Sequence, residues 1–311
     1  MKKKVKKIIK EIIEKLNIDS IVKYHIMKKR EKKYEKMSKK ERIESLKKWY
    51  YKHTGEKLDL ENPKGFNQKI QWIKINDFSE KKTILSDKYL VREWIKETIG
   101  EKYLVKQYNA WDNIGDIDFN SLPNQFVLKS NHGSAMNIVV KNKKSINYKK
   151  TLKKMKYWLK TPYDLSGLEE QYYAIPRKII AEEYIEQEDG DLYDYKIHCF
   201  NGEPKLIQVI GERNLIKHTG KEAFFNTKWE NDASMYRTYG TFLKIPKKPE
   251  KLNEMLEISK KLSKGFKYVR VDLYYVKGEI KFGEMTFTPA SGIGHFSDKQ
   301  HDLQLGEWIK L

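Results

Sequence analysis

The sequence predicts an α+β protein, helical at the front and built of antiparallel hairpins at the back. In the first hundred residues apolar side chains recur at helical spacing. From about residue 121, short β-branched and aromatic runs alternate with turn residues. Two-residue turns, Asn201-Gly202 and Lys277-Gly278, each sit between apolar runs and mark hairpins.

At 311 residues the chain can bury a large core and fold as two or three lobes. The single cysteine, Cys199, excludes an internal disulfide and fits a reducing compartment. No stretch approaches the roughly 18 apolar residues of a membrane span. The basic start MKKKVKKIIKEIIEKL is broken by charges and lacks the continuous apolar region of a signal peptide. A cytoplasmic protein is expected. The net charge is +20, but residues 1–50 hold 19 Lys/Arg against 7 Asp/Glu, so +12 of it sits in that segment. Only seven of the 63 basic residues are Arg. Salt-sensitive, non-specific nucleic-acid binding is the most that this supports, with no specific nucleic-acid partner expected.

Val5, Ile8, Ile9, Ile12, Ile13 and Leu16 form one face of a basic amphipathic helix, which either packs on its own chain or makes a peripheral contact with an anionic inner membrane face. A second helix is predicted over 38–53, with SKKE as a capping box. In DKYLVREWIKETIG, Tyr89, Leu90 and Trp94 are expected to face inward and Gly100 to stop the helix. Lys88 and Arg92, four apart, share another face and could grip an acidic substrate. Strands follow at 125–129 and 138–141, a lysine-rich helix at 147–160, and a strand at 178–185. DYKIHCF and KLIQVIG make a hairpin, a helix spans about 249–264, and RVDLYYVKGEIKFGEMTFTPASG supplies the last hairpin. The division expected is a basic helical segment 1–55, a substrate-side region 56–120, a small lobe 121–187 and a C-terminal lobe 188–311.

That last hairpin poses a chemical question, because Asp272 and Glu284 stand in otherwise apolar strands. Antiparallel pairing across Lys277-Gly278 brings them side by side, and adjacent carboxylates repel unless a cation or shared proton intervenes. A divalent cation bound by oxygen ligands is the simplest solution, with a cross-strand salt-bridge cluster as the alternative. Period-2 alternation places Arg270 beside Asp272 and Thr286 beside Glu284. Upstream, Lys129 precedes a loop with Ser130, His132, Gly133 and Ser134, suited to presenting amides to phosphate, although it is not a Walker A sequence.

Taken in order, NPKGFNQKIQWIK, DKYLVREWI, LPNQFVLKSNHGS, IIAEEYI, DYKIHCFNGEPK and the final hairpin resemble the ATP-grasp superfamily, more closely its TupA-like branch, found in bacterial surface-polysaccharide gene clusters. The resemblance runs from about Asn62 to Leu311. It implies an ATP-grasp fold with a nucleotide held between two antiparallel-sheet lobes, and ATP and Mg²⁺ as cofactors. By the same resemblance, Lys129 and Lys178 bind the nucleotide, with Gly133 and Ser134 in the loop over its phosphates. Glu182 meets the adenine amino group, and Glu183, Tyr184 and Ile185 flank the base. Asp194 meets the ribose, with Lys196 facing the same way. Arg270 contacts phosphate, and Asp272 and Glu284 bind metal. Thr286 stands where the superfamily often has Asn.

The implied chemistry is carboxylate-amine ligation through an acyl phosphate, releasing ADP, with an acidic sugar or amino-acid substrate and an amine. His132 and His295 could contact substrate, whereas Cys199 needs no nucleophilic role. The alternative is a glycosyltransferase using a nucleotide sugar, for which Asp116/Asp118 and Asp189/Asp191 offer D-x-D pairs that also read as ordinary turns.

Overall fold

The computed structural model describes residues 18–186, 192–214, 219–231 and 239–311. The expected amphipathic helix at 1–16 and the Asp189/Asp191 pair lie outside the described residues. The chain divides into two compact units, each drawn from non-contiguous stretches.

The first unit comprises residues 1–42, 106–166 and 172–184. Its centre is a four-stranded antiparallel sheet of β1 (Gln107–Trp111), β2 (Phe126–Ser130), β3 (Asn137–Val140) and β4 (Ile179–Glu182), in the order β1-β4-β2-β3. β4 is fully buried, as its IIAE run requires, and ends at Glu182, shorter than the expected 178–185. Helix α1 (Ile18–Glu35) belongs to the same unit: its Tyr24 ring meets Tyr157 at 6.1 Å, and Tyr173 donates to Glu35 at 3.1 Å.

The second unit holds residues 43–105, 167–171 and 185–311. Helix α2 (Lys39–Thr54), most of which falls in this unit, starts with the expected capping box: the Ser38 amide donates to Glu41 Oε2 at 2.8 Å, and the Glu41 amide to Ser38 Oγ at 3.3 Å. Helices α3 (Phe66–Asn76), α4 (Glu80–Ser86) and α5 (Val91–Thr98) follow. In α5 the inward residues are Val91 and Ile95, not Leu90, which is 37% exposed. The helix begins at Val91, after Asp87 Oδ1 takes the amides of Tyr89 and Leu90 in a turn. The first unit contributes the next helix, α6 (Tyr148–Lys160), and a short turn of helix, α7 (Glu170–Tyr173), lies where the chain crosses between units.

The second unit is organised by a six-stranded sheet in the order β10-β9-β5-β6-β7-β8. It comprises β5 (Asp194–Phe200), β6 (Glu203–Asn214), β7 (Thr219–Asn226), β8 (Gly240–Thr241), β9 (Tyr268–Val276) and β10 (Glu279–Thr286), antiparallel except at β7-β8. Both hairpin turns take the left-handed conformation at both central residues, φ 49° and 85° at Asn201-Gly202 and 51° and 77° at Lys277-Gly278. Strict alternation gives the sheet two unlike faces. Tyr195, Ile197, Cys199, Val269, Val271 and Leu273 pack into an apolar core with Met255 and Leu262 of α8 (Leu252–Ser263). The opposite face carries Phe200, Leu206, Phe224 and Tyr268 at one end, packed against Phe66 and Ile70 of α3 and Leu305 of α9 (Lys299–Glu307). The rest of that face is polar. Among the described residues no helix is long and apolar enough to cross a membrane.

Candidate functional site

The polar face of the six-stranded sheet is organised by one irregularity. A two-residue turn at Lys277-Gly278 pairs Val276 with Glu279 and continues through Leu273 with Phe282; a regular ladder would then set Asp272 opposite Gly283. A bulge at Gly283 shifts the register by one, so Glu284 lies opposite Asp272 and Thr286 opposite Arg270. The apolar side chains show the same slip: Ile280 and Phe282 face the core before the bulge, Met285 and Phe287 after it. Glycine relieves crowding there, since a Cβ at 283 would sit 3.0 Å from the Asp272 carbonyl oxygen.

Pairing β9 with β5 completes the cluster by setting Lys196 opposite Asp272. Asp272, 2% exposed, receives Arg270 Nε at 2.6 Å on one oxygen and Arg270 Nη2 at 2.8 Å on the other, which also accepts from Lys196 Nζ. Lys196 reaches Asp194 at 3.0 Å, and Arg213 pairs with Asp194 at 2.9 Å. Arg270 Nη2 also donates to Thr286 Oγ1 at 3.1 Å and lies 3.7 Å from Glu284. Lys88 meets Glu284 at 3.2 Å.

These contacts shift the groups in opposite directions. Burial raises the Asp272 carboxyl above its ordinary range, against the pull of Arg270 and Lys196. Burial would raise Glu284 too, but Lys88, Lys196 and Arg270 outweigh it and hold the carboxyl far below the usual range. Burial disfavours the charge on Arg270, yet Asp272 and Glu284 more than compensate and keep it firmly protonated.

A pocket of about 260 Å³ opens on the same face beside Arg270 and Lys196. One wall is the turn after β10, where Ala290 and Ser291 have φ of 46° and 53°. Left-handed non-glycine residues cost roughly 1–2 kcal/mol each, and this turn is held by side chains from distant elements. Gln71 Nε2 donates to the Ser291 and Gly292 carbonyls at 3.0 and 2.7 Å, and Lys74 Nζ to those of Ser291 and Gly167 at 2.6 and 2.8 Å. Burial lowers the Lys74 ammonium to about 8, with Glu169 opposing the shift.

The first unit carries a separate set of residues. Lys129, on β2, donates to the buried carboxylate of Glu182 on β4 at 2.5 Å. Lys178 donates to both oxygens of Asp112, at 2.6 and 2.8 Å. Gly133 and the exposed Ser134 lie in the loop joining β2 to β3. The Glu183 amide is tied to the Lys106 carbonyl at 2.9 Å, Lys141 stands 5.2 Å over the Tyr184 ring, and the division between units falls between Tyr184 and Ile185.

Not every candidate joins these clusters. Arg92 donates to the Val105 carbonyl at 2.9 Å. His132 is buried, with Nδ1 2.7 Å from Ser130 Oγ and Nε2 3.4 Å from the Thr161 carbonyl. His295 is exposed. Asp116 and Asp118 are exposed, and Asp118 accepts the Asn120 amide at 2.8 Å in a turn. Cys199 lies in the apolar core, where burial pushes its thiol up to about 12. Sequence reasoning missed His198, Gln208 and Arg213, which line the pocket. His198 was within reach of it, because it continues the alternation Asp194, Lys196 along β5.

Among the described residues no group of three or more His, Cys, Asp or Glu side chains converges as a metal centre. Asp272, Glu284 and Thr286 nevertheless form a hard-oxygen set of the kind Mg²⁺ takes, one or two carboxylates completed by substrate phosphates. Lys196, Arg270 and Lys88 now supply the positive charge beside these carboxylates.

A four-stranded antiparallel sheet and a six-stranded, mostly antiparallel sheet with helices make this an α+β protein, and its family is an ATP-grasp one. More narrowly, the chain belongs to the TupA-like ATP-grasp family, whose model matches residues 68–310. Among solved structures it is similar to the D-alanine–D-alanine ligase of Bacillus anthracis, with 18% identity, 73% of this chain and 66% of that chain covered, and a TM-score of 0.42. The same ligase of Helicobacter pylori gives 17% identity, 79% and 69% coverage and a TM-score of 0.41. N5-carboxyaminoimidazole synthetase of Staphylococcus aureus, solved with ADP, gives 14%, 73%, 52% and 0.42. The chain thus spans between about half and about two thirds of the length of these structures. No curated protein matches it.

Proposed function

We propose that this protein is an ATP-dependent, ADP-forming carboxylate-amine ligase. The observation that carries the reading is the bulge-enforced pairing of Asp272 with Glu284, flanked by Arg270 and Lys196, in a chain of the TupA-like ATP-grasp family. Adjacent acids in a buried face are costly unless cations meet them, and the donor set suits Mg²⁺ carrying a nucleotide triphosphate. Bound Mg²⁺ supplies charge neutralisation and alignment of the phosphates.

Each group then has a task in transfer of the γ-phosphoryl from ATP to a substrate carboxylate. Asp272 and Glu284 hold the metal, with Thr286 as the weaker neutral ligand. Arg270, fixed by both oxygens of Asp272, presents a rigid guanidinium to the transferred group. Lys129 and Lys178 bind the nucleotide, and Glu182 and the segment 183–185 receive the base; Asp194 takes the ribose. The acyl phosphate and ADP form first, and an amine then displaces phosphate, leaving an amide. No covalent bond to the protein is needed.

The branch resemblance suggests a surface-polysaccharide precursor as the acid and a cytoplasmic setting, with residues 1–50 as a peripheral contact for anionic membrane. ADP release by the full chain, measured across acids and amines, is expected to require both an acid and an amine, and release of AMP or UDP would contradict the reading. Glu284→Gln is expected to lower turnover at least about a hundred-fold while the far-ultraviolet circular dichroism stays unchanged.

A further inference from the structure

The first unit carries a concentration of positive charge that the nucleotide roles leave unused. Between Asp118 and Asp164 the chain has ten lysines, no arginine and no acidic residue. Six of the ten stand on α6, where Lys149, Lys153, Lys156 and Lys160 are all exposed. Steps of four, three and four residues set these on one stripe of the helix, opposite the side that buries Thr151, Met155 and Trp158. At 1.5 Å per residue the stripe is about 16 Å long.

This pattern is unfavourable to the helix that bears it. Lys149 and Lys150 occupy the first turn, where the helix dipole favours acids, and that turn has none. Lys149 with Lys153 and Lys156 with Lys160 are like charges one turn apart, and α6 has no acidic residue to interleave with them. Burial, then Lys150, lower the Lys154 ammonium from its ordinary range, a mark of the same crowding. An opposing anionic surface relieves the repulsion.

Helix α1 belongs to the same unit and meets α6 where the Tyr24 ring lies 6.1 Å from that of Tyr157. It buries Met27, Glu31 and Tyr34 and turns Val22, Ile26, Lys29 and Lys33 outward, again in steps of four, three and four. Val22 and Ile26 are 44% and 45% exposed. Aliphatic side chains in line with lysines suit a boundary of headgroups and acyl chains. Single-stranded nucleic acid is met instead by Arg and by aromatic rings on which bases stack, and neither stripe has either. A small anion meets one or two charges of such a stripe, whereas a planar surface meets all of them.

We propose that the outer faces of α1 and α6 form a docking surface for an anionic phospholipid bilayer, with the lysines of both stripes against headgroup phosphates and Val22 and Ile26 in the interface. Because α6 lies outside residues 1–50, the inference goes beyond the membrane contact proposed for that segment. It does not depend on the ligase reading.

Co-sedimentation of the full chain with vesicles tests it, using phosphatidylcholine alone and equal parts of phosphatidylcholine and phosphatidylglycerol. Binding is expected only to the anionic vesicles and to weaken with salt. A variant combining Lys149→Gln, Lys153→Gln, Lys156→Gln and Lys160→Gln is expected to bind at least about tenfold more weakly, since each lysine near an anionic leaflet contributes roughly fivefold. Glutamine keeps the helix propensity, so unchanged far-ultraviolet circular dichroism is expected. A control combining Lys244→Gln, Lys247→Gln, Lys248→Gln and Lys261→Gln removes the same charge from exposed positions of the second unit and is expected to bind as the wild type does. Val22→Ser with Ile26→Ser, which leaves every charge in place, is expected to weaken binding at least about threefold. Equal weakening by the two lysine variants overturns the assignment in favour of net charge alone. Undiminished binding by the α6 variant overturns the role of α6 and leaves the contact to residues 1–50. Tighter binding of a DNA probe than of anionic vesicles, lost in the α6 variant, overturns it in favour of nucleic acid. If the wild type binds no vesicles, both membrane readings fall, while acid- and amine-dependent ADP release by the same protein leaves the ligase reading standing.

Discussion

The two units hold their charged residues in opposite ways. In the first, Lys129 pairs with Glu182 and Lys178 with Asp112, whose side chain is 65% exposed. In the second, Arg213, Asp194, Lys196, Asp272, Arg270, Glu284 and Lys88 form one continuous chain of ion pairs, closed around a carboxylate that is almost fully buried. Isolated pairs near water contribute about 0–1 kcal/mol, whereas a buried pair that loses one member costs about 3–5 kcal/mol. Lys178, whose partner is exposed, is therefore replaceable at little cost to folding, whereas Lys129 faces the buried carboxylate of Glu182. The second arrangement makes stability and chemistry hard to separate.

The sharpest way to break this contrast is Asp272→Asn, which strands Arg270 and Lys196 in the buried face. A loss of about 3–5 kcal/mol in urea unfolding is expected together with loss of ATP turnover, and unaltered stability would mean that the network is not interlocked. Gly283→Val attacks the register instead. Overpacking against the Asp272 backbone is expected to cost about 1–3 kcal/mol and to lower turnover at least tenfold by moving Glu284 away from Asp272.

For the first unit, Lys178→Ala is expected to change stability by no more than about 1 kcal/mol yet raise the KM for ATP roughly tenfold, as removal of a charge-assisted hydrogen bond does. A pH dependence in the pocket sharpens the contrast further. His198 refuses a proton in the folded protein until about pH 3, whereas the unfolded chain takes it near 6.5. Stability is therefore lost as pH falls below 6.5, with a slope of up to about 1.4 kcal/mol per pH unit relative to His198→Leu. Parallel stability curves for the two proteins between pH 6.5 and 5 would contradict the buried neutral ring.

Much of the second unit is legible in its amino-acid pattern. Alternation along DYKIHCF and RVDLYYV separates the apolar residues 195, 197, 199, 269, 271 and 273 from the site face. The slip in EIKFGEMTF, from Ile280 and Phe282 to Met285 and Phe287, also marks the bulge at Gly283, which the pairing of the two acids needs in addition to the turn. Other features are not legible, because they depend on contacts distant in sequence. Lys74 reads as one more lysine on a helix, and only its approach to carbonyls 93 and 217 residues away gives it a role. Leu90 is misplaced by its helical spacing for a local reason: Asp87 caps a turn there, so the helical phase begins at Val91.

Positional isotope exchange in ATP tests the central claim most directly, with the acid that supports ADP release present and the amine omitted. Scrambling of the β,γ-bridging oxygen is expected in the wild-type protein only when the acid is added, and not in Glu284→Gln. Acid-independent scrambling, or undiminished exchange in the variant, would contradict transfer of the phosphoryl group to a carboxylate at the Asp272–Glu284 site.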